Sequence, residues 1–238
     1  MPWPLIVPTK TANKVVQFVQ KGGTLLIEAE ADAYTTLGFY RCPGKERDFA
    51  YRLGIEDLGR RVLSKEDFSL EYEGDQYDLK AAEFLTPLKH ISDDPTAKVL
   101  SRDDEGHVLA MENKVGRGTV ISLGTFVGER YCGERYADFE RFLGRIVSQA
   151  GATPQLEVTS RQPLQWRTGL SKDNRLLFIM NPIESQRVRI RGPRGLFKES
   201  DSIHELRTDS IIPLRDSEDF KTFETDIDEG GFVILKWK

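Results

Sequence analysis

The chain has 238 residues, 30% charged and 39% hydrophobic, an ordinary globular balance with length enough for two domains. Its formal charge of -4, with Lys and Arg interspersed among Asp and Glu, argues against a nucleic-acid partner or a membrane surface. No apolar run approaches the ~20 residues that span a bilayer, and Cys42 and Cys132 fit reduced thiols in a cytoplasmic protein better than a disulfide scaffold.

The opening Met-Pro-Trp-Pro-Leu-Ile-Val-Pro lacks the basic region and small-residue cleavage site of a signal peptide. Leu5 to Val7 reads as the stub of a strand, and a helix follows at once. An α/β domain usually begins with a complete strand and its crossover. The expectation is therefore an N-terminally incomplete fold, with the missing part on another polypeptide or in a longer parent.

From Thr9 the pattern becomes regular. Ala12, Val15, Val16 and Val19 fall on one face of a helix. Thr9 or Thr11 is placed to cap its start, Lys21 sits near its end, and Gly22 suits the left-handed residue that stops it. Thr24 to Ile27 then reads as a short buried strand, half of a doubly wound layer. The next segment, Ala29 to Lys45, leaves the carboxyl end of that strand, where α/β sheets place their sites. Glu28, Glu30 and Asp32 alternate there and make a carboxylate site conceivable. With no partner His, Lys or ligand cluster in view, a solvated loop is the reading preferred.

Farther on, Asp48 to Leu53 predicts a short helix closing on Gly54, and Phe68 to Glu73 a half-buried strand turned by Gly74-Asp75. Asp78 to Leu88 reads equally as strand or helix. Breaks are expected at Pro87 and at Ser92-Asp93-Asp94-Pro95. Lys98 to Arg102 and His107 to Asn113 predict a hairpin around Asp103-Asp104-Glu105-Gly106. Lys114 to Gly118 is a second turn, and Thr119 to Leu123 a β-prone run. Arg135 to Ala150 is predicted as a helix whose stripe is Phe139, Phe142, Leu143, Ile146 and Val147, ended by Gly151. A domain boundary is expected at Thr153-Pro154, giving domains 1–153 and 154–238. Beyond it, short runs at Leu156, Leu164, Leu176, Val188, Ile211 and Phe232 predict a small antiparallel β-sandwich. Asp201 to Asp209 and Asp216 to Glu229 carry most of its acidic charge and read as loops.

Few residues suggest chemistry. There is no Gly-x-Ser-x-Gly elbow, Walker loop, His-Glu-x-x-His or Cys-x-x-Cys. Val115-Gly-Arg-Gly118 lies between two strands, so it cannot offer helix amides to a phosphate. His90, His107 and His204 are scattered, and no metal or cofactor is expected. Cys132 precedes a helix but has no assigned base. Trp3, Trp166 and Trp237 suit a core or interface better than a sugar platform.

Four stretches together resemble the C-terminal part of family 42 β-galactosidases. They are Phe18-Val-Gln-Lys-Gly-Gly-Thr-Leu, Arg52-Leu-Gly-Ile-Glu56, Val115-Gly-Arg-Gly-Thr-Val-Ile-Ser-Leu-Gly-Thr125 and Leu176-Leu-Phe-Ile-Met-Asn181. The third is the most specific, and the four occur in the family's order across nearly the whole chain. The resemblance implies a flavodoxin-like, glutamine-amidotransferase-like trimerisation domain without amidotransferase chemistry, followed by a small β domain. In that family the acid/base and nucleophile Glu sit on a preceding (β/α)8 barrel, which this chain is too short to contain. Retaining hydrolysis needs two carboxyls about 5 Å apart, so no Glu here inherits a catalytic role. The resemblance implies assembly as the function: contacts in a homo-oligomer (a trimer), or with a barrel-bearing glycosidase polypeptide, and walls of a sugar site. The alternative is a stand-alone carbohydrate-binding or hydrolytic protein using the Glu28–Arg41 loop and a pocket near Tyr131. Candidate sugar contacts are Glu28, Glu30, Tyr40 and Arg41.

Overall fold

The computed structural model describes the chain except residues 3, 63–66, 83, 92–96, 153–154 and 198–199. Trp3 and the breaks expected at 92–95 and 153–154 lie outside the described residues. The chain divides into two compact units, Met1–Ala152 and Thr153–Lys238.

The first unit begins with α1 (Thr9–Gln20), β1 (Thr24–Ile27), α2 (Asp48–Arg52), β2 (Ile55–Asp57), β3 (Arg61–Val62), β4 (Asp67–Tyr72) and β5 (Asp75–Lys80). It continues with β6 (Phe84–Leu85), β7 (Leu88–His90), β8 (Lys98–Arg102), β9 (Val108–Val115), β10 (Gly118–Leu123), α3 (Val127–Gly133) and α4 (Ala137–Gln149). The stripe of α1 buries Ala12, Val16 and Val19, with Val15 packed partly against the same core. Its cap differs from the expectation. Pro8 already has the extended backbone that a cap needs (φ -58°, ψ 139°), and its carbonyl accepts from the Thr11 and Ala12 amides at 2.8 and 2.9 Å. Thr9 and Thr11 therefore fall inside the helix and neither hydroxyl caps it. Gly22, at φ +112°, ends it.

Among the described residues the main sheet of this unit has the order β1-β10-β9-β8. Only β1 and β10 run parallel, from Thr24 opposite Thr119 to Ile27 opposite Ser122; the other neighbours are antiparallel. Three two-stranded ladders, β2 with β7, β3 with β6 and β4 with β5, complete a mixed α/β unit rich in strands. Leu5 to Val7 joins no ladder. Instead the Leu5 and Pro4 carbonyls accept from the Tyr34 and Asp32 amides at 2.9 and 2.7 Å, which holds the first residues against the loop after β1.

Among the described residues, the segment 78–88 holds the end of β5, β6 and the start of β7, and no helix. β5 pairs with β4 through a turn in which Glu73 and Gly74 both have positive φ, so Leu70, Tyr72, Tyr77 and Leu79 share one inner face. That face meets Phe139, Phe142 and Ile146 of α4, with the Tyr72 and Phe142 rings edge-on at 5.7 Å. The helix expected from Arg135 starts only at Ala137, because Tyr136 is extended (φ -143°, ψ 143°). The separate short helix α3 precedes it, and Val147 stays exposed.

The Gly116-x-Gly118 turn has a packing cause. Gly116 takes φ +62° beside the Gln20 carbonyl, and a Cβ on Gly118 would collide with the Val19 and Gly23 carbonyl oxygens. The turn is where the end of α1 rests on the start of β10.

The second unit contains β11 (Glu157–Thr159), β12 (Gln165–Ser171), β13 (Asn174–Met180), β14 (Gln186–Pro193) and α5 (Arg194–Phe197). Then come β15 (Ser202–Glu205), β16 (Ser210–Pro213), β17 (Arg215–Asp216), β18 (Phe220–Ile227) and β19 (Phe232–Trp237). The two sheets, β11-β14-β18-β17 and β12-β13-β19-β15-β16, are antiparallel and share a core of Leu177, Ile179, Val188, Ile190, Phe223 and Leu235. The acidic stretches expected as loops hold β15 and β18. Ile203, Phe223 and Ile227 point inward there, while Glu224 and Asp226 stand opposite Arg189 and Arg187 and pair with them at 3.0 and 2.9 Å. Trp237 is buried, as its hydrophobicity suggests, and its ring N–H donates to the Leu196 carbonyl at 3.0 Å.

Because the space beside Gly118 is filled by backbone rather than by a movable side chain, Gly118→Ala should destabilise the first unit by about 3 kcal/mol. Denaturant unfolding will measure it, and a loss under about 0.5 kcal/mol would show that the end of α1 does not rest on the start of β10.

Candidate functional site

β1 delivers its chain into residues 28–33, and all six are buried. The solvated loop expected over Ala29 to Lys45 is thus corrected at its start, where 29–33 are buried, while 36–40 are exposed. Ala29, Ala31 and Ala33 are small enough to let the backbone sink between neighbouring elements, which carries the interleaved carboxylates inside with it. Glu30 and Asp32 adopt left-handed backbone, at φ 57° and 60°. For residues other than glycine that conformation costs of order 1 kcal/mol and persists only where the surroundings enforce it.

Each carboxylate meets a counter-charge or amide. Glu28 Oε1 accepts from the Gly128 backbone N–H of α3 at 2.6 Å. Glu30 takes a two-pronged grip from Arg60, with Nε and Nη2 each at 2.6 Å from its oxygens. Asp32 forms an ion pair with Arg41 and accepts weakly from the Phe49 amide at 3.4 Å. Tyr40 accepts from Arg47 Nη2 at 2.8 Å through its hydroxyl, with the guanidinium 5.2 Å from its ring centre. Arg47 is itself buried, donates from Nε to the Arg41 carbonyl at 3.1 Å, and is ion-paired with Asp57. Burial pushes the Asp57 carboxyl up to about 6 despite the opposing pull of Arg47, and the neighbouring Glu30 charge adds to the rise.

The structure therefore draws Glu30, Tyr40 and Arg41 into one lattice of acids and guanidiniums, while Glu28 is engaged separately at the start of α3. Glu28, Glu30 and Asp32 are turned onto cations and amides, not aligned across an open cleft. Reading the sequence alone missed Arg60, Asp57 and Arg47. Arg60 lies 30 positions from Glu30, and nothing in its local pattern marks the pairing.

Beside this lattice opens a cleft of about 670 Å3 lined by Arg60, Ala82, Phe84, Glu129, Arg130, Gly133 and Glu134. It lies near the carboxyl ends of β1 and β10, the two parallel strands. Arg60 covers the Phe84 ring at 4.3 Å, and Phe84 meets Phe126 edge-on at 5.1 Å. Lys80 pairs with Glu134 at 2.9 Å. Tyr131, near the pocket suggested by the sequence, donates to Glu140 at 2.5 Å instead. Cys132 is exposed. His107 is tied to Asp103 at 2.9 Å and His204 to Asp209 at 2.6 Å, in separate units. Among the described residues no group of three or more His, Cys, Asp or Glu is arranged to hold a metal ion.

No protein-family model matches the chain, and no curated protein matches it. Solved structures do. The GH42 β-galactosidase Gan42B of G. stearothermophilus superposes with a TM-score of 0.65 at 20% identity, over 100% of this chain and 31% of its own. A β-galactosidase from Bacillus circulans sp. alkalophilus gives 0.68 at 17% identity, over 100% and 32%. The fold resembles one part of a GH42 β-galactosidase. An α-L-fucosidase, isoenzyme 2 of Paenibacillus thiaminolyticus, shares it at 0.60 and 11% identity, over 100% and 40%. The chain spans about a third of the length of the β-galactosidases, and at these identities the likeness is one of fold. No helix among the described residues is long and apolar enough to cross a membrane.

The raised Asp57 carboxyl makes stability depend on pH with a definite sign. Its folded value of about 6 exceeds the ordinary 3.8, so unfolding between them releases a proton and stability falls as the pH rises through that window. The wild type's advantage over Asp57→Asn should shrink by about 2 kcal/mol between pH 4 and pH 6. Urea midpoints for both proteins across that range check it; a constant difference would place the titration elsewhere.

Proposed function

We propose that the chain is the non-catalytic assembly portion of a β-galactosidase-like glycoside hydrolase. In this reading residues 1–153 form a flavodoxin-like, amidotransferase-like trimerisation domain and residues 154–238 its companion β domain. The observation that carries it is the match of the whole chain to about a third of GH42 β-galactosidases. The state of the carboxylates supports it. A retaining glycosidase needs two carboxyls about 5 Å apart and free to reach a scissile bond, whereas Glu30 and Asp32 are buried and clamped by arginines.

The partners follow from the same reading: further copies of the chain in a trimer, or a polypeptide that carries the barrel, within the cytoplasm. The tip of the loop between Tyr34 and Tyr40 offers a surface for such contacts, because Leu37 and Phe39 are 82% and 69% exposed. The second reading, a stand-alone sugar-binding or hydrolytic protein, draws on the other side of that loop. There Tyr40 is exposed and Arg41 is reachable from solvent, so both remain candidate sugar contacts beside the sequestered Glu28 and Glu30.

Two measurements separate the readings. The isolated chain should not hydrolyse a nitrophenyl β-galactoside above the buffer rate; turnover that disappears in Glu28→Gln would overturn the assembly role. Light scattering on a size-exclusion column should give a multiple of 27.1 kDa, and a strict monomer at high concentration would exclude self-assembly.

A further inference from the structure

The cleft beside the carboxylate lattice has the parts of a binding site, independent of any catalytic pair. Arg60 is about half exposed, yet both ends of its placement are fixed. Buried Glu30, held in left-handed backbone, grips Nε and Nη2, and the Phe84 ring supports the guanidinium from below at 4.3 Å. Nη1 is the amino group outside that fork. An arginine braced in this way loses little freedom on binding, so its hydrogen bonds to a ligand are not offset by ordering.

The facing wall comes from α3 and the residue after it: Glu129, Arg130 and Glu134. The charges largely cancel, since Arg60 is answered by Glu30 and Glu134 by Lys80 at 2.9 Å. A cleft that mixes donors and acceptors, with an aromatic ring and little net charge, suits a neutral polyol rather than an ion. Sugar hydroxyls can accept from guanidinium N–H groups and donate to carboxylate oxygens, and the volume of about 670 Å3 lies in the range of small-molecule sites.

We infer that this cleft binds a neutral hexopyranoside, with Arg60 and Arg130 donating to its hydroxyls, Glu129 and Glu134 accepting from them, and Phe84 bordering its apolar side. The choice of a sugar among polyols rests on the glycosidase reading above; the site itself does not.

The test is titration of the full chain with methyl β-D-galactopyranoside and methyl β-D-glucopyranoside, followed by saturation-transfer NMR, with galacturonate as a charged probe. The expected result is saturable binding of at least one glycoside, with Kd on the order of 1–10 mM. Arg60→Ala and Arg130→Ala should each weaken it about tenfold, the loss of one charged hydrogen-bonding group. Phe178→Ser, on the second unit, should leave it unchanged. Arg130 is surface-reachable, so its variant keeps the test open if Arg60→Ala unfolds. Absence of saturation, saturation by galacturonate alone, or affinity unmoved in a folded Arg130→Ala would each overturn the site. A monomer that still binds glycoside excludes only self-assembly, and a trimer that binds none overturns only the cleft.

Discussion

A carboxylate taken out of water costs several kcal/mol unless a cation or a set of amides replaces the solvent it loses. The first unit meets that constraint more than once within a single turn of chain. Glu28, Glu30 and Asp32 follow β1 into the interior, and each has a separate solution: the Gly128 amide, the Arg60 fork and the Arg41 ion pair. Those solutions fix much else. Glu28 anchors the start of α3 beside the end of β1, Glu30 sets Arg60 on Phe84, and Asp32 draws the Tyr34–Tyr40 hairpin back over the loop through Arg41. The left-handed backbone at Glu30 and Asp32 is tolerated because these charged contacts outweigh its strain.

The second unit handles its charge the other way, on its surface. β14 alternates Val188 and Ile190 inward with Arg187, Arg189 and Arg191 outward, and β18 answers with Phe223 and Ile227 inward and Glu224 and Asp226 outward. The register places acid opposite base, Arg187 with Asp226 and Arg189 with Glu224. Exposed pairs of this kind contribute little energy each, but a slip by one residue would put every charge in the core. They act as register marks.

The match to part of GH42 β-galactosidases, and at lower identity to part of an α-L-fucosidase, shows one architecture within larger glycosidases of different naming. A fold carries no chemistry of its own. What this chain adds is a braced arginine and a mixed-charge cleft near the ends of its parallel strands, the position at which open α/β sheets gather ligand-binding groups.

Local pattern was enough for much of the fold. The α1 stripe, the β1 run, the β8–β9 hairpin and the aromatic face of α4 follow from periodicity, because burying one face of an element leaves its spacing in the sequence. Where charge and burial compete, pattern misleads. The acidic run holding β18 looks like a loop until the arginines of β14 are placed opposite it, and Glu30 and Asp32 look solvated until Arg60 and Arg41 are brought to them. The sequence by itself determined most of the apolar-patterned elements and the resemblance of the chain to part of a glycosidase family. Only the tertiary structure decided which carboxylates are inside and what stands over the cleft, since a counter-ion 30 positions away leaves no mark on the residues beside the charge it neutralises.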